Sequence, residues 1–121
     1  MYACANGHLG CAEFLVTHGA NVGQDRQDGW TALMSASKHG QLVCVEYLVT
    51  HGARVEHPTK DGRTALMFAS QSGHLACVEY LVTHGAQVGQ AAQDGETPLM
   101  SAAENGHVAC VEYLVTHGAE V

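Results

Sequence analysis

The ten residues CVEYLVTHGA occur at Cys44 to Ala53, at Cys77 to Ala86 and at Cys110 to Ala119, and a variant, CAEFLVTHGA, runs from Cys11 to Ala20. The interval is 33 residues each time. A fixed period of this length is the mark of a repeat architecture, and it restricts the fold more than any composition does. Aligned on Asp-Gly, the chain divides into blocks at 1–27, 28–60, 61–93 and 94–121. The first lacks its opening six positions and the last is cut short. With slot 1 placed at Asp28, Asp61 and Asp94, every position acquires a slot number.

Each block reads as two helices. Thr31, Thr64 and Thr97 stand at slot 4 as N-caps, whose hydroxyls can accept from a free amide of the first turn. Pro98 follows Thr97, where a helix tolerates proline best. The first helix runs ALMSASKH, ALMFASQS or PLMSAAEN, rich in small residues that let neighbours approach. Gly40, Gly73 and Gly106 end it, and Gly7 does so in the partial block. In the second helix Leu42, Cys44, Val45, Leu48 and Val49 fall at helical spacing, with Glu46 on the polar side. Gly52, Gly85 and Gly118 end that helix. The connecting stretch, ARVEHPTKDGR in one block, carries turn residues and predicts a hairpin or extended loop. One such pair cannot bury its apolar sides alone, but stacked copies can. The expectation is a single all-α solenoid over residues 1–121.

At 121 residues and 46% hydrophobic, the chain can bury roughly two thirds of its unfolded surface. The formal charge of −7 has the wrong sign for a nucleic-acid binder. No apolar run approaches a membrane span, so no membrane insertion is expected. No signal peptide is visible. Five cysteines, four of them 33 residues apart and none in a CxxC pair, do not form a disulfide framework. They read as reduced, buried thiols in an intracellular compartment, cytoplasmic or nuclear.

The His and Cys ladders raise a metal reading. His8/Cys11, His74/Cys77 and His107/Cys110 read HxxC, which places both side chains on one helical face. Zinc needs four converging ligands at about 2.0–2.3 Å. Adjacent repeats stack at roughly 8–10 Å, so each turn supplies two ligands and the next repeat lies too far away. The same spacing separates the slot-17 cysteines beyond disulfide reach. The stronger reading makes each cysteine a small apolar core residue. His18, His51, His84 and His117 stand at slot 24, a helix C-terminus. No nucleophile trio, GxxxxGK[ST] loop or GxGxxG motif is present, so neither catalysis nor a cofactor is expected.

The stretches DGETPLMSAAENGHVACVEYLVTHGA (94–119), DGRTALMFASQSGHLACVEYLVTHGA (61–86) and DGWTALMSASKHGQLVCVEYLVTHGA (28–53) resemble the ankyrin-repeat pattern DGxTPLHxAAxxGHxxxVxxLLxxGA. The match covers essentially the whole chain. It implies stacked helix-turn-helix units joined by hairpin-like loops, and protein binding as the shared activity. The family's slot-7 histidine, which ties neighbouring hairpins, is replaced by Met34, Met67 and Met100. The common slot-29 asparagine is replaced by Gly23, Glu56 and Gly89, which removes a hydroxylation acceptor found in some members.

Between blocks the framework hardly changes, so the variable slots are the informative ones. Slot 3 carries Trp30, Arg63 and Glu96; slot 8 carries Tyr2, Ser35, Phe68 and Ser101. Slots 11 and 12 carry Lys38 and His39, Gln71 and Ser72, then Glu104 and Asn105. The resemblance implies that these places line a concave groove, with Trp30, Phe68 and Arg63 near its middle. Trp30 and Phe68 are expected as exposed anchors, since aromatic and Arg side chains dominate binding hot spots. The groove would run from positive, at Lys38 and Arg63, to negative, at Glu96 and Glu104. The expected partner is a protein or peptide.

Alternatives are a designed or consensus scaffold without its own ligand, a spacer within a longer array, and metal or redox sensing by the ladders. Met1 falls on slot 7, so the chain looks cut from a longer array. Its uncapped terminal repeats would then allow end-to-end self-association.

Overall fold

The computed structural model describes residues 31–118. Six helices follow one another: α1 Ala32–Lys38, α2 Leu42–Thr50, α3 Ala65–Ser72, α4 Leu75–Thr83, α5 Pro98–Glu104 and α6 Val108–Thr116. They form three helix pairs in a stack, and no strand occurs among the described residues. The opening 1–27 block, with Tyr2 and the first His and Cys rungs, lies outside the described residues, as does Trp30.

The N-caps divide. Thr31 and Thr97 accept from the amides of Met34 and Met100 at 3.2 and 3.3 Å. Thr64 occupies the same backbone position but makes no side-chain cap bond, contrary to expectation. The three slot-13 glycines all adopt positive φ, at 70°, 78° and 75° for Gly40, Gly73 and Gly106. A side chain there strains the backbone, so glycine is required for the tight entry into the second helix.

The connecting loops fold back as hairpin turns. The Thr59 amide donates to Arg63 O at 2.8 Å and the Gly62 amide to Thr59 O at 2.9 Å. Ala92, Glu96 and Gly95 repeat both bonds one block later. The two tips are also tied together: the Gln93 amide donates to Asp61 O and its side-chain Nε2 to Lys60 O.

The core is shared between repeats. Leu48, Leu81 and Leu114 are fully buried at one slot, and Cys44, Cys77 and Cys110 are 3, 1 and 1% exposed at another. Methionine at slot 7 is buried in the first two pairs, where Met34 and Met67 are 1 and 0% exposed, but Met100 is 49% exposed. The first helices α1, α3 and α5 pack closely, through Ala and Ser, whereas α2, α4 and α6 touch one another only lightly. The stack is therefore tighter on the first-helix side, which becomes its inner side.

Slot 10 shows a mismatch. Ser37 and Ser70 are fully buried, and neither hydroxyl has a hydrogen-bond partner among the described residues. A buried hydroxyl without a partner costs about 1–3 kcal/mol. Ala103 already occupies the same slot in the last pair. Ser70→Ala is therefore expected to stabilise the protein by about 1 kcal/mol, read as a higher urea midpoint at unchanged slope.

Candidate functional interface

The variable slots divide sharply once the helices are stacked. Slots 11 and 12 lie at the C-terminal ends of the first helices, and Lys38, His39, Gln71, Glu104 and Asn105 are all exposed there. Two of these side chains are anchored from below. His39 Nδ1 lies 2.8 Å from Ser35 O, and Asn105 Nδ2 donates to Ser101 O at 2.9 Å. Both positions are thus presented in fixed orientations on one edge of the stack.

Slot 8 does not belong to that surface. Ser35, Phe68 and Ser101 are 3, 8 and 0% exposed. The expectation of Phe68 as an exposed anchor is corrected: its ring sits in the hydrophobic core with Leu66, Ala69 and Val78. The serines at the same slot in the neighbouring repeats are small enough to leave room for one large ring. Variation at that slot reflects packing volume rather than exposure.

Slot 3 couples the repeats electrostatically. Arg63 Nη2 donates to Glu96 Oε1 at 3.3 Å and lies 3.8 Å from Asp94 Oδ2, while its Nε lies 3.8 Å from Asp61 Oδ2. Glu96 accepts from Ser101 Oγ at 2.9 Å through its other oxygen. Arg63 and Glu96 are both half-buried. The Glu104 carboxyl is pushed above the usual carboxylate range, first by the charge of Glu96 and then by a hydrogen bond to it, with Arg63 offsetting only part. Arg63 is therefore surrounded by carboxylates. The expected sign change along the groove moves: the positive end is carried by Lys38, and the Arg63 region is acidic.

The conserved-looking slot-14 histidines tie repeats together. His74 Nε2 lies 3.1 Å from Lys38 O and His107 Nε2 lies 3.0 Å from Gln71 O, each in the preceding repeat. A carbonyl only accepts, so Nε2 carries the proton in both rings. Each ring also fills the space beside a glycine: a Cβ on Gly40 or Gly73 would come within 2.5 Å of it. The HxxC spacing places each of these histidines one turn from a buried cysteine, but nothing in it shows the tie to the preceding repeat.

Slot-24 histidines stack on tyrosine within their own helices. Tyr47/His51, Tyr80/His84 and Tyr113/His117 have ring centroids 4.1, 3.9 and 3.9 Å apart. Each Nδ1 reaches the tyrosine carbonyl at 2.8–2.9 Å. Among the described residues no group of three or more His, Cys, Asp or Glu side chains gathers in a metal-holding arrangement. Nor is any helix among the described residues long and apolar enough to cross a membrane.

Cys44, Cys77 and Cys110 are buried and form no disulfide. Burial, and secondarily the charge of Glu46, pushes the Cys77 thiol up to about 11; burial and then Glu79 push Cys110 up as well. Thiolate is the reactive form, so these thiols are unreactive while folded. At pH 8 a disulfide reagent is expected to leave Cys77 and Cys110 unmodified in the native protein and to label both in urea, as read by peptide mapping.

The comparison with family models matches ankyrin repeats (3 copies) over residues 1–92 and 55–121. The chain belongs to the ankyrin-repeat family. Its helix pairs, hairpin tips and shared core are those of an all-α repeat solenoid, and ankyrin repeats generally serve as protein–protein interaction modules. A search of curated proteins found no match.

Proposed function

We propose that the chain is a non-catalytic recognition module that holds a protein or peptide partner along the inner edge of the stack. One observation carries this reading. The unchanged residues Leu48, Leu81 and Leu114 and the slot-17 cysteines form the shared core, while on the first-helix side Lys38, His39, Gln71, Glu104 and Asn105 differ between repeats and are exposed on one edge. A scaffold that needed only to stack would have no use for such variety there. Trp30 is assigned to the same groove from its slot 3, whereas Tyr2 is not, because slot 8 is buried in the described repeats. Buried reduced thiols fit an intracellular setting.

Crosslinking capture from cell extract, with wild type beside Lys38→Ala/Gln71→Ala/Glu104→Ala, tests the reading. All three positions are exposed, so the variant is expected to fold. A partner held by wild type should be lost from the variant, and it should shift the emission of Trp30, the only tryptophan. Equal recovery with both proteins, or no partner with either, would leave the spacer or scaffold reading standing instead.

A further inference from the structure

The second helices form a separate surface on the opposite side of the stack from the variable edge. Because α2 and α4 touch only lightly, a shallow cleft of about 280 Å³ opens between them, lined by Leu42, Glu46, Ala76, Glu79, Tyr80, Thr83 and His84. Leu42 and Ala76 contribute apolar lining to the cleft. Its rim holds two exposed carboxylates, Glu46 and Glu79, one from each helix. No ion pair or side-chain hydrogen bond among the described residues engages either of them. The wall is held rigid by its own helix: Thr83 Oγ1 donates to Glu79 O at 2.7 Å, and His84 Nδ1 donates to Tyr80 O while its ring stacks on Tyr80.

All seven lining positions recur with the same residue types 33 positions later, from Leu75 through Glu79 and Glu112 to His117. The variable edge differs from repeat to repeat, whereas this surface repeats. We propose that the clefts between the second helices form a second docking surface, for a basic helix of a partner protein. A Lys or Arg stem would lie on the apolar lining and the Tyr face, with its cationic head between the paired carboxylates. Charge complementarity selects this occupant: Glu46, Glu79 and Glu112 form an acidic row on a chain of net charge −7.

Spacing sharpens the claim. Successive repeats lie roughly 8–10 Å apart. Two residues seven apart on a helix lie on the same face and about 10.5 Å apart. In an extended strand the nearest match is three residues, and these point to opposite faces. The fitting partner therefore carries basic residues every seventh position.

The test uses two stapled, mostly alanine helical peptides, each with two lysines, seven apart in one and nine apart in the other. The nine-residue spacing puts the lysines on opposite sides of the helix. Binding is read by fluorescence anisotropy at low ionic strength, where exposed charge pairs are least screened. The seven-spaced peptide should bind several-fold tighter than the nine-spaced one. Glu46→Gln/Glu79→Gln/Glu112→Gln, checked for folding by circular dichroism, should weaken it about tenfold. The Lys38→Ala/Gln71→Ala/Glu104→Ala variant should bind it as wild type does, which separates this surface from the inner edge. Equal binding of the two peptides would reveal only general attraction to an acidic protein and overturn the proposal. Unchanged affinity in the Gln variant, or no binding of either peptide, would overturn it as well.

Discussion

Leu81→Ala is expected to lower the unfolding free energy by about 3 kcal/mol, within the range of roughly 2–5 kcal/mol found for buried leucines. Leu81 is fully buried in α4, at the centre of the stack, and belongs to the same hydrophobic cluster as Leu48 and Leu114. Its truncation leaves a cavity bordered by more than one repeat, and collapse into it would require neighbouring repeats to shift together. The loss should therefore register as destabilisation of the whole unit in urea titration, with one transition and a lower midpoint. Val115→Ala provides the contrast. Val115 is 42% exposed in α6, and its truncation should cost less than about 1 kcal/mol. Similar losses for the two would mean that burial between repeats does not govern stability.

The second large effect is at Gly73, where Gly73→Ala should destabilise by about 2–3 kcal/mol. Two physical terms add. The left-handed backbone at φ 78° disfavours any Cβ by about 1 kcal/mol or more. The added methyl would also lie within 2.5 Å of the His107 ring, which must swing away and release Gln71 O. Gly106 separates the two terms. It shares the backbone conformation, at φ 75°, but among the described residues nothing lies within 4 Å of where a Cβ would stand. Gly106→Ala should therefore cost only about 1 kcal/mol, the conformational part. The difference between the two substitutions measures a contact that crosses from one repeat to the next.

The fold was legible because a 33-residue period dictates the architecture whatever the fine packing. Helix starts, glycine stops and the buried cysteines all follow from residue type at fixed offsets. The site was legible only in part. Variation between copies picked out Lys38, Gln71 and Glu104 as exposed positions, because slots 11 and 12 lie where a helix end meets solvent. The same rule misplaced Phe68, because a slot can vary when neighbouring volumes compensate, and one copy's sequence does not display its neighbour's volume. Arg63 and Glu96 were read as two separate groove residues. Opposite charges exactly one period apart place their side chains side by side in a stack, so their ion pair could have been anticipated. The missing cap bond at Thr64 and the tie from His107 to Gln71 depend on rotamers and small shifts that no spacing rule contains. Trp30 rests on its slot alone.

The claim beneath all of this is that each repeat is completed by the one beside it. A double-mutant cycle on Gly73→Ala and His107→Ala, measured by urea unfolding, tests it most directly. If the His107 ring fills the space beside Gly73, removing the ring relieves the clash. The double mutant should then be more stable than the sum of the single losses predicts, by about 1–2 kcal/mol. Additivity within about 0.5 kcal/mol would show that the two groups do not meet across the repeat boundary, and the account would fail there.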